Sequence, residues 1–249
     1  MVIADRLVYL ELQKTGCTHI RTLLQQLVGG ELVGRHNRAP RTLLDGQRLL
    51  IGSIRNPWDW YVSLWSYGCD RRGSLFARTT RTPAAQRWWA LLPGQGPSWA
   101  DTYADSRDPR RFRQWLQLVH GRRTMAAIGE GYARSPVSQV AGLLTYRFLK
   151  LFCTRKGQAR ALRHCTSLQA IERFAARRCF IDAFIRTETL EADLLRILQA
   201  HGVVPDAQRW LELSPRPPTN PSSRSVSTGP YYDPASLALG AERDKKLVR

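Results

Sequence analysis

The fold of this chain is decided by the stretch Leu7-Val-Tyr-Leu-Glu-Leu-Gln-Lys-Thr-Gly-Cys-Thr-His-Ile-Arg-Thr-Leu-Leu24. Its first residues are apolar, β-branched or aromatic, which predicts a strand. Lys14-Thr15-Gly16 then interrupts the pattern and apolar residues return at helical spacing, so a tight loop and a helix are expected. Such a loop directs backbone N–H groups and a helix N-terminus at one point, where Lys14 adds positive charge. We therefore expect it to bind a phosphate or sulfate.

The loop does not have the spacing of a mononucleotide-binding loop. That pattern, G-x-x-x-x-G-K-S/T, ends in its lysine, whereas Lys14 precedes the only glycine of this loop, Gly16. An ATPase is therefore not indicated. Taken by itself, the motif also fits an ordinary strand-to-helix turn with a solvated lysine.

A second apolar strand runs into a helix over the stretch Arg48-Leu-Leu-Ile-Gly-Ser-Ile-Arg-Asn-Pro-Trp-Asp-Trp-Tyr-Val-Ser-Leu-Trp65. Asn56 is expected at the N-cap and Pro57 at the first helical position. Arg55 ends the strand, and Ser63 lies two turns into the helix and away from its apolar face. The two side chains are predicted to bind one further phosphate together.

Two motifs of this chain resemble the two cofactor motifs of the sulfotransferases. The first is Lys14-Thr15-Gly16-Cys17-Thr18, and the second is Arg55-Asn-Pro together with Ser63. The resemblance implies that the first loop, residues 14–18, binds the 5′-phosphosulfate of 3′-phosphoadenosine 5′-phosphosulfate (PAPS). It also implies that Arg55 and Ser63 bind the 3′-phosphate. Gln13 and Cys17 stand where many members have Pro and Ser, a departure that leaves the backbone amides able to reach a phosphate.

Two later stretches resemble the carbohydrate-type members of that family. The chain as a whole is similar to a bacterial-type soluble member. Phe180–Leu194 is similar to their late strand and helix. Thr219-Asn-Pro-Ser-Ser-Arg224 through Tyr231-Tyr-Asp-Pro234 is similar to their C-terminal loop and final helix. This resemblance adds Arg224 to the residues expected to bind the cofactor.

The activity implied is transfer of the sulfuryl group of PAPS to a hydroxyl of a carbohydrate by in-line displacement. Lys14 is the expected catalytic cation that neutralises the leaving phosphate, and no metal is expected to be required. His36 is the predicted catalytic base, since a neutral imidazole is still basic near pH 7. His19 and Glu11 are the competing bases, and His36 also fits a role in which it only caps its strand or bonds the Asn37 loop.

The alternation of strands and helices predicts an α/β fold, a three-layer P-loop-like arrangement with a central parallel sheet flanked by helices. Ligands of such sheets bind beyond the carboxyl ends of the strands, which is where Lys14, His36 and Arg55 are expected. One domain is predicted over residues 1–249. The segment of about 70–130 is an insertion on the acceptor side, and its interspersed tryptophans (Trp88, Trp89 and Trp99) fit either a sugar-binding lid or ordinary packing.

Local patterns also predict the bounds of individual elements. The predictions are helices at about Cys17–Val28, Asp108–His120, Val137–Cys153 and Pro234–Val248, strands at Glu31–His36 and Cys179–Arg186, and a helix capped by Thr187. The arginines and lysines of the middle helices are expected on solvated faces.

The net charge of +18 on 249 residues indicates an anionic partner. A carbohydrate acceptor, an anionic one included, is expected, and nucleic acid is not. The rival interpretation is a noncatalytic polyanion-binding module for nucleic acid or sulfated glycan, which explains the charge equally well. The sequence has no transmembrane run and no signal peptide pattern, so a cytoplasmic protein, soluble or peripheral to a membrane, is expected.

Five cysteines, at positions 17, 69, 153, 165 and 179, form no C-x-x-C pair and are expected to be free thiols. Cys17 fits either a reactive thiol with a lowered pKa, next to a helix N-terminus and Lys14, or a small loop filler in place of Ser. His164-Cys165 has no second ligand pair at zinc-finger spacing, so no metal site is predicted.

Overall fold

The computed structural model describes residues 1–81, 97–158, 160–203, 210 and 227–244. The chain forms two compact units. The first comprises Met1–Asn56, Arg147–Leu162 and Glu172–Pro221, and the second comprises Pro57–Tyr146, Arg163–Ile171 and Ser222–Arg249. The expectation that residues 1–249 act as a single domain stays a prediction.

The first unit contains a five-stranded sheet, so the α/β class is confirmed. The strands are β1 (Val2–Ile3), β2 (Leu7–Leu10), β3 (Glu31–Leu32), β4 (Leu49–Ile54) and β5 (Ala183–Arg186), in the order β3-β1-β2-β4-β5. The pairs β2·β4 and β4·β5 are parallel, whereas β1 runs antiparallel to both β2 and β3. The expected parallel sheet is therefore a mixed one, because the two-residue β1 turns back at residues 4–6 and leaves no room for a crossover helix.

The helices are distributed along both units. They are α1 (Cys17–Val28), α2 (Pro57–Cys69), α3 (Ser74–Arg81), α4 (Trp99–Thr102), α5 (Pro109–His120), α6 (Val137–Val140), α7 (Leu143–Phe152), α8 (Leu168–Arg178), α9 (Leu190–Ala200) and α10 (Pro234–Asp244). Short 3₁₀ turns lie at Arg41–Leu43, Met125–Ile128, Ala161–His164, Thr187–Thr189 and Gly229–Tyr231.

The core of the first unit lies between the sheet and two helices. The strands contribute Val2, Leu7, Tyr9, Ile51 and Ile185, α1 contributes Ile20, Leu23 and Leu24, and α9 contributes Leu194, Ile197 and Leu198. The helical residues recur at spacings of three and four, as expected for one buried face. On the other face of β4, Gly52 lies against the rings of Phe152 and Phe184, where a Cβ would approach them to about 3 Å. Glycine at this position lets the two rings pack directly on the strand.

The second unit is helical and has an aromatic core. Trp65 packs edge-on against Phe112 and Tyr231 with ring centroids 5.4 and 5.6 Å away, and its indole N–H donates to the Thr102 carbonyl at 2.7 Å. Trp115 Nε1 donates to the Tyr103 hydroxyl at 2.7 Å. These buried indoles each have the hydrogen-bond acceptor that burial of an N–H requires.

Some predicted element bounds are wrong. The helix expected at Val137–Cys153 is interrupted, because Ala141 adopts an extended conformation (φ −142°, ψ 168°) that ends the first helix at Val140, and the second helix begins at Leu143. The Thr187 hydroxyl does not cap a helix, since it donates instead to the carbonyl of Ile54 at 2.9 Å. The predicted insertion at about 70–130 contains the helices α3 and α4, whose bounds the sequence did not predict.

Within the described part of the chain, no helix has both the length and the apolar character needed to cross a membrane.

Candidate active site

The loop between β2 and α1 turns sharply at two residues. Lys14 has a φ of 65° and Gly16 a φ of 75°, both in the left-handed region. Gly16 suits its position for two reasons: glycine adopts positive φ at no steric cost, and a Cβ there would lie 2.4 Å from Leu190 Cδ1. Backbone amides around left-handed residues form a concave cluster that attracts anions. The loop, with α1 beginning at Cys17 directly behind it, is therefore a candidate anion cradle.

A chain of buried hydroxyl groups fixes this loop to the sheet. The Thr15 hydroxyl donates to the Leu12 carbonyl at 2.6 Å, and its oxygen lies 2.6 Å from Ser53 Oγ, which is 2.7 Å from the Tyr9 hydroxyl. Since Thr15 gives its one proton to Leu12, Ser53 must donate to Thr15 and Tyr9 must donate to Ser53. Thr15 is fully buried and its hydroxyl is engaged within this chain of groups, so the hydroxyl is not available to an anion.

Arg55 follows β4 and reaches the same loop. β2 and β4 are parallel with Leu10 beside Gly52, so their carboxyl ends lie at one edge of the sheet. Arg55 Nη1 donates a hydrogen bond of 3.3 Å to the Lys14 carbonyl. The next amide, that of Asn56, donates to Glu188 Oε1 at 2.8 Å. The structure therefore brings together Arg55 and the Lys14 loop, which the sequence predicted from separate motifs.

His36 also contacts this loop. The backbone beyond β3 stays beside the first residue, because Val33 N–H donates to the Met1 carbonyl at 3.0 Å. His36 then adopts a φ of 56°, and its Nδ1 lies 3.0 Å from the Glu11 carbonyl oxygen. A carbonyl only accepts hydrogen bonds, so Nδ1 carries the proton and Nε2 is the basic nitrogen of the neutral ring. Among the residues that the structure describes, none hydrogen-bonds to Nε2.

Burial lowers the pKa of His36 below its usual value. The hydrogen bond to the Glu11 carbonyl acts in the opposite direction, and the positive charge of Arg147 adds to the lowering. Arg147 lies in α7 with only 4% of its surface exposed, so the expectation that the arginines of this helix are solvated is wrong for this residue. Burial is the main cause that favours the neutral, basic form of the imidazole, and the charge of Arg147 adds to it.

The two competing bases each lie against a charged group. Glu11 is buried, with Oε1 lying 2.9 Å from Arg21 Nη1 and 3.4 Å from the ammonium group of Met1. His19 Nε2 lies 2.8 Å from Glu191 Oε1. Of the three candidates, His36 is the one whose basic nitrogen has no such partner in the described residues.

Glu11, Cys17 and His36 place one ligand atom each within 4.8 Å of one another. Oxygen, sulfur and nitrogen donors of this kind suit zinc. However, the Glu11 carboxylate is already balanced by Arg21 and the Met1 ammonium, and a metal ion would have to displace them. Burial, reinforced by the charge of Glu11, raises the pKa of the Cys17 thiol, whereas a metal binds the thiolate. The interpretation of Cys17 as a reactive thiol of lowered pKa is wrong for the same reason.

The remaining predicted residues lie in helices or outside the described residues. Thr18 is half-buried in the first turn of α1, and Ser63 is buried in α2 of the second unit. Arg224 and the tryptophans Trp88 and Trp89 lie outside the described residues. Trp99 is 3% exposed in α4, so it packs in the second unit and does not offer its ring to a sugar.

A cavity of about 560 Å³ lies in the first unit away from these groups. Its lining includes Arg6 and Arg48, which precede β2 and β4, so it opens at the amino ends of the parallel strands. The anion cradle lies at their carboxyl ends, the edge at which open α/β sheets bind ligands. The cavity and the predicted site are therefore separate features.

Sequence reasoning missed the residues that hold the site together. Tyr9 and Ser53 position the loop, Arg21 balances Glu11, and Arg147 influences His36. Ser53 did leave a signal, because it is a lone hydroxyl in the apolar strand Leu49–Ile54, and a buried polar side chain requires a partner. The partners of the two arginines lie far away in sequence and could not be read from local patterns.

No protein-family model, no curated protein and no solved structure matches this chain.

Proposed function

We propose that this protein is a PAPS-dependent sulfotransferase that transfers the sulfuryl group of PAPS to a hydroxyl of a carbohydrate. One observation carries the proposal. Arg55 and His36 follow different strands, yet Arg55 hydrogen-bonds to the carbonyl of Lys14 and His36 to that of Glu11. The proposed cation for a nucleotide phosphate and the proposed base thus both contact the loop between β2 and α1, which supports the proposal.

The cofactor is assigned to the loop and to the strand that follows it. Lys14 and the backbone amides of residues 15–18 would bind the 5′-phosphosulfate, as helix N-termini and concave amide clusters bind anions elsewhere. Arg55 would bind the 3′-phosphate. Ser63 and Arg224 are added by the resemblance to the family alone, and both remain predictions.

The proposed reaction is an in-line displacement at sulfur. His36 Nε2 takes the proton of the acceptor hydroxyl as the oxygen forms its bond to sulfur, and the bond from sulfur to the phosphate oxygen breaks. Lys14 and the loop amides neutralise the negative charge that develops on the departing phosphate. The products are the sulfated acceptor and 3′-phosphoadenosine 5′-phosphate, with the proton on His36. The lowered pKa of His36 favours this role, since its ring is neutral and ready to accept a proton at pH 7.

We also propose a three-layer, P-loop-like arrangement for the fold. β2, β4 and β5 form a parallel set, the loop after β2 leads into α1, and side chains of helices contact β4 from both faces. These features support a three-layer, P-loop-like arrangement in which the antiparallel β1 and β3 extend one edge. The carbohydrate nature of the acceptor rests on the resemblance of residues 180–194 and 219–234 to the family.

The decisive experiment is turnover of labelled PAPS by the wild-type chain with a panel of polysaccharides, compared with Lys14→Ala. Loss of one such charge contact costs about 10²–10³ in rate in other enzymes, and a similar loss is expected here without a change in the unfolding midpoint. Lys156→Ala is the matched control, because Lys156 is an exposed lysine of the same unit. Near-normal turnover by Lys14→Ala would refute the assignment.

The strong positive charge favours a second candidate, a noncatalytic polyanion-binding module. Ligand-induced stabilisation separates the two. 3′-Phosphoadenosine 5′-phosphate at about 100 times its dissociation constant should add about 2.7 kcal/mol to the stability of a sulfotransferase. If duplex DNA or a sulfated glycan stabilises the protein and this nucleotide does not, the second candidate is correct.

A further inference from the structure

Two cysteines meet in the first unit, away from the candidate active site. Cys153 directly follows α7 and Cys179 directly follows α8. The Phe180 N–H donates to the Phe152 carbonyl at 3.1 Å, so the backbones join at the residues next to the two thiols. The side chains of Cys153 and Cys179 are hydrogen-bonded to each other.

The two thiols differ in accessibility. Cys153 is 2% exposed, whereas Cys179 is half-buried and can be reached from solvent. The hydrogen bond from Cys153 lowers the pKa of the Cys179 thiol to about 7. Burial instead raises the pKa of Cys17, Cys69 and Cys165. The thiolate is the reactive form of cysteine. Cys179 therefore differs from these three cysteines in its lower thiol pKa and in having a second thiol beside it.

We propose that Cys153 and Cys179 are a redox-active dithiol that closes to an intramolecular disulfide by exchange with a low-molecular-weight disulfide such as oxidised glutathione. Cys179 is the attacking thiol and Cys153 is the resolving thiol. Cys153 can resolve the bond although it is buried, since the Phe180–Phe152 backbone hydrogen bond holds the two residues side by side and the Cys153 thiol is a hydrogen-bond partner of Cys179.

The exchange proceeds in two balanced steps. The Cys179 thiolate attacks one sulfur of oxidised glutathione, that disulfide breaks, and one glutathione leaves as a thiolate. The Cys153 thiol then loses its proton, its sulfur attacks Cys179 Sγ, and the second glutathione leaves. Two protein thiols are oxidised, one molecule of oxidised glutathione is reduced to two thiols, and the protons of the protein thiols pass to the glutathione thiolates.

The bond would join the end of α7 to the segment that leads into β5. It would close a loop that contains all of α8, and a crosslink of this kind restricts the unfolded chain. The oxidised protein is therefore expected to unfold at a higher urea concentration than the reduced protein.

The test is a titration of the full chain with mixtures of reduced and oxidised glutathione, followed by alkylation and peptide mapping. We expect a peptide crosslinked between positions 153 and 179, together with alkylation of the remaining cysteines after denaturation. Cys153→Ala should stop at a glutathione adduct on Cys179, and Cys179→Ser should form neither product. Cys69→Ser is the matched control, since Cys69 is also half-buried and its loss should leave the crosslink unchanged.

A second readout follows the reactivity of Cys179 directly. Its rate of alkylation by iodoacetamide should rise through a midpoint near pH 7 in the wild type and shift to higher pH in Cys153→Ala. A wild-type protein that accumulates the glutathione adduct on Cys179 without the crosslink would overturn the proposal. So would a first adduct on any other cysteine.

Discussion

Substitution of Ser53 by alanine should loosen the anion cradle, because Ser53 is the middle member of the buried hydroxyl chain. Ser53 and Tyr9 are both fully buried, and the Tyr9 hydroxyl donates to Ser53 Oγ at 2.7 Å. Ser53 in turn donates to Thr15 at 2.6 Å. Ser53→Ala therefore leaves the Tyr9 hydroxyl without an acceptor and removes one of the two hydrogen bonds that hold Thr15.

The size of the effect follows from these two losses. A buried donor left unsatisfied costs about 1–3 kcal/mol, and a lost internal hydrogen bond costs about 0.5–1.5 kcal/mol. The free energy of unfolding should fall by roughly 2–4 kcal/mol, a large part of the stability of an ordinary protein. The double variant Tyr9→Phe/Ser53→Ala removes the stranded hydroxyl as well. It should be more stable than the sum of the two single changes predicts, with a coupling energy of about 1 kcal/mol or more.

Urea unfolding followed by circular dichroism and tryptophan fluorescence measures these differences as shifts in midpoint at constant slope. Ser66→Ala is the matched control, because Ser66 is equally buried but its hydroxyl has no hydrogen-bond partner in the described residues. The control should be neutral or slightly stabilising. The reasoning fails if Ser53→Ala costs no more than Ser66→Ala, or if the coupling energy lies within about 0.5 kcal/mol of zero.

Three further predictions concern the site and the sheet. Burial lowers the pKa of the base His36 below its usual value of about 6.5, so the wild-type rate at saturating PAPS should hold at about pH 6.5 and fall only at lower pH. His36→Gln should lose most turnover, and a variant with wild-type turnover and the same acidic limb would exclude His36 as the base. Arg55→Ala should weaken binding of PAPS more than binding of an analogue without the 3′-phosphate, and so should Ser63→Ala, whose role the resemblance to the sulfotransferases implies. Equal losses for the two nucleotides in titration calorimetry would assign these residues to the scaffold. The hydrogen bond from the Arg186 side chain holds the pKa of Asp193 well below its usual range. The stability that Asp193 contributes is therefore present above about pH 4 and lost as the pH falls through the lowered pKa. The difference in unfolding free energy between wild type and Asp193→Asn should shrink between about pH 5 and pH 2, and a difference that does not change with pH would contradict this.

Elements with strong local patterns were predictable from the sequence. α1 spans Cys17–Val28 as expected, because its apolar spacing and Gly29 mark both ends. β4 and the start of α2 at Pro57 were equally clear. β1 was missed, since two residues are too few to show alternation, and its antiparallel pairing makes the sheet mixed.

The candidate site was only partly predictable. The sequence predicted that Lys14, Arg55 and His36 each follow a strand. The tautomer of His36 depends on the carbonyl of Glu11, and the burial of Arg147 depends on the packing of α7. Neither property belongs to a local pattern, so the pKa of His36 could not be anticipated.

The sequence by itself determined that a tight loop joins β2 to α1, because a strand, a turn at Lys14-Thr15-Gly16 and a helix are each encoded by residues adjacent in the chain. Only the tertiary structure decided what surrounds that loop. Arg55 meets Lys14, Ser53 meets Tyr9, and Cys179 meets Cys153 across long stretches of chain. The physical reason is that propensity and periodicity act over a few residues, whereas burial, hydrogen-bond partners and pKa depend on which distant residues the sheet brings together.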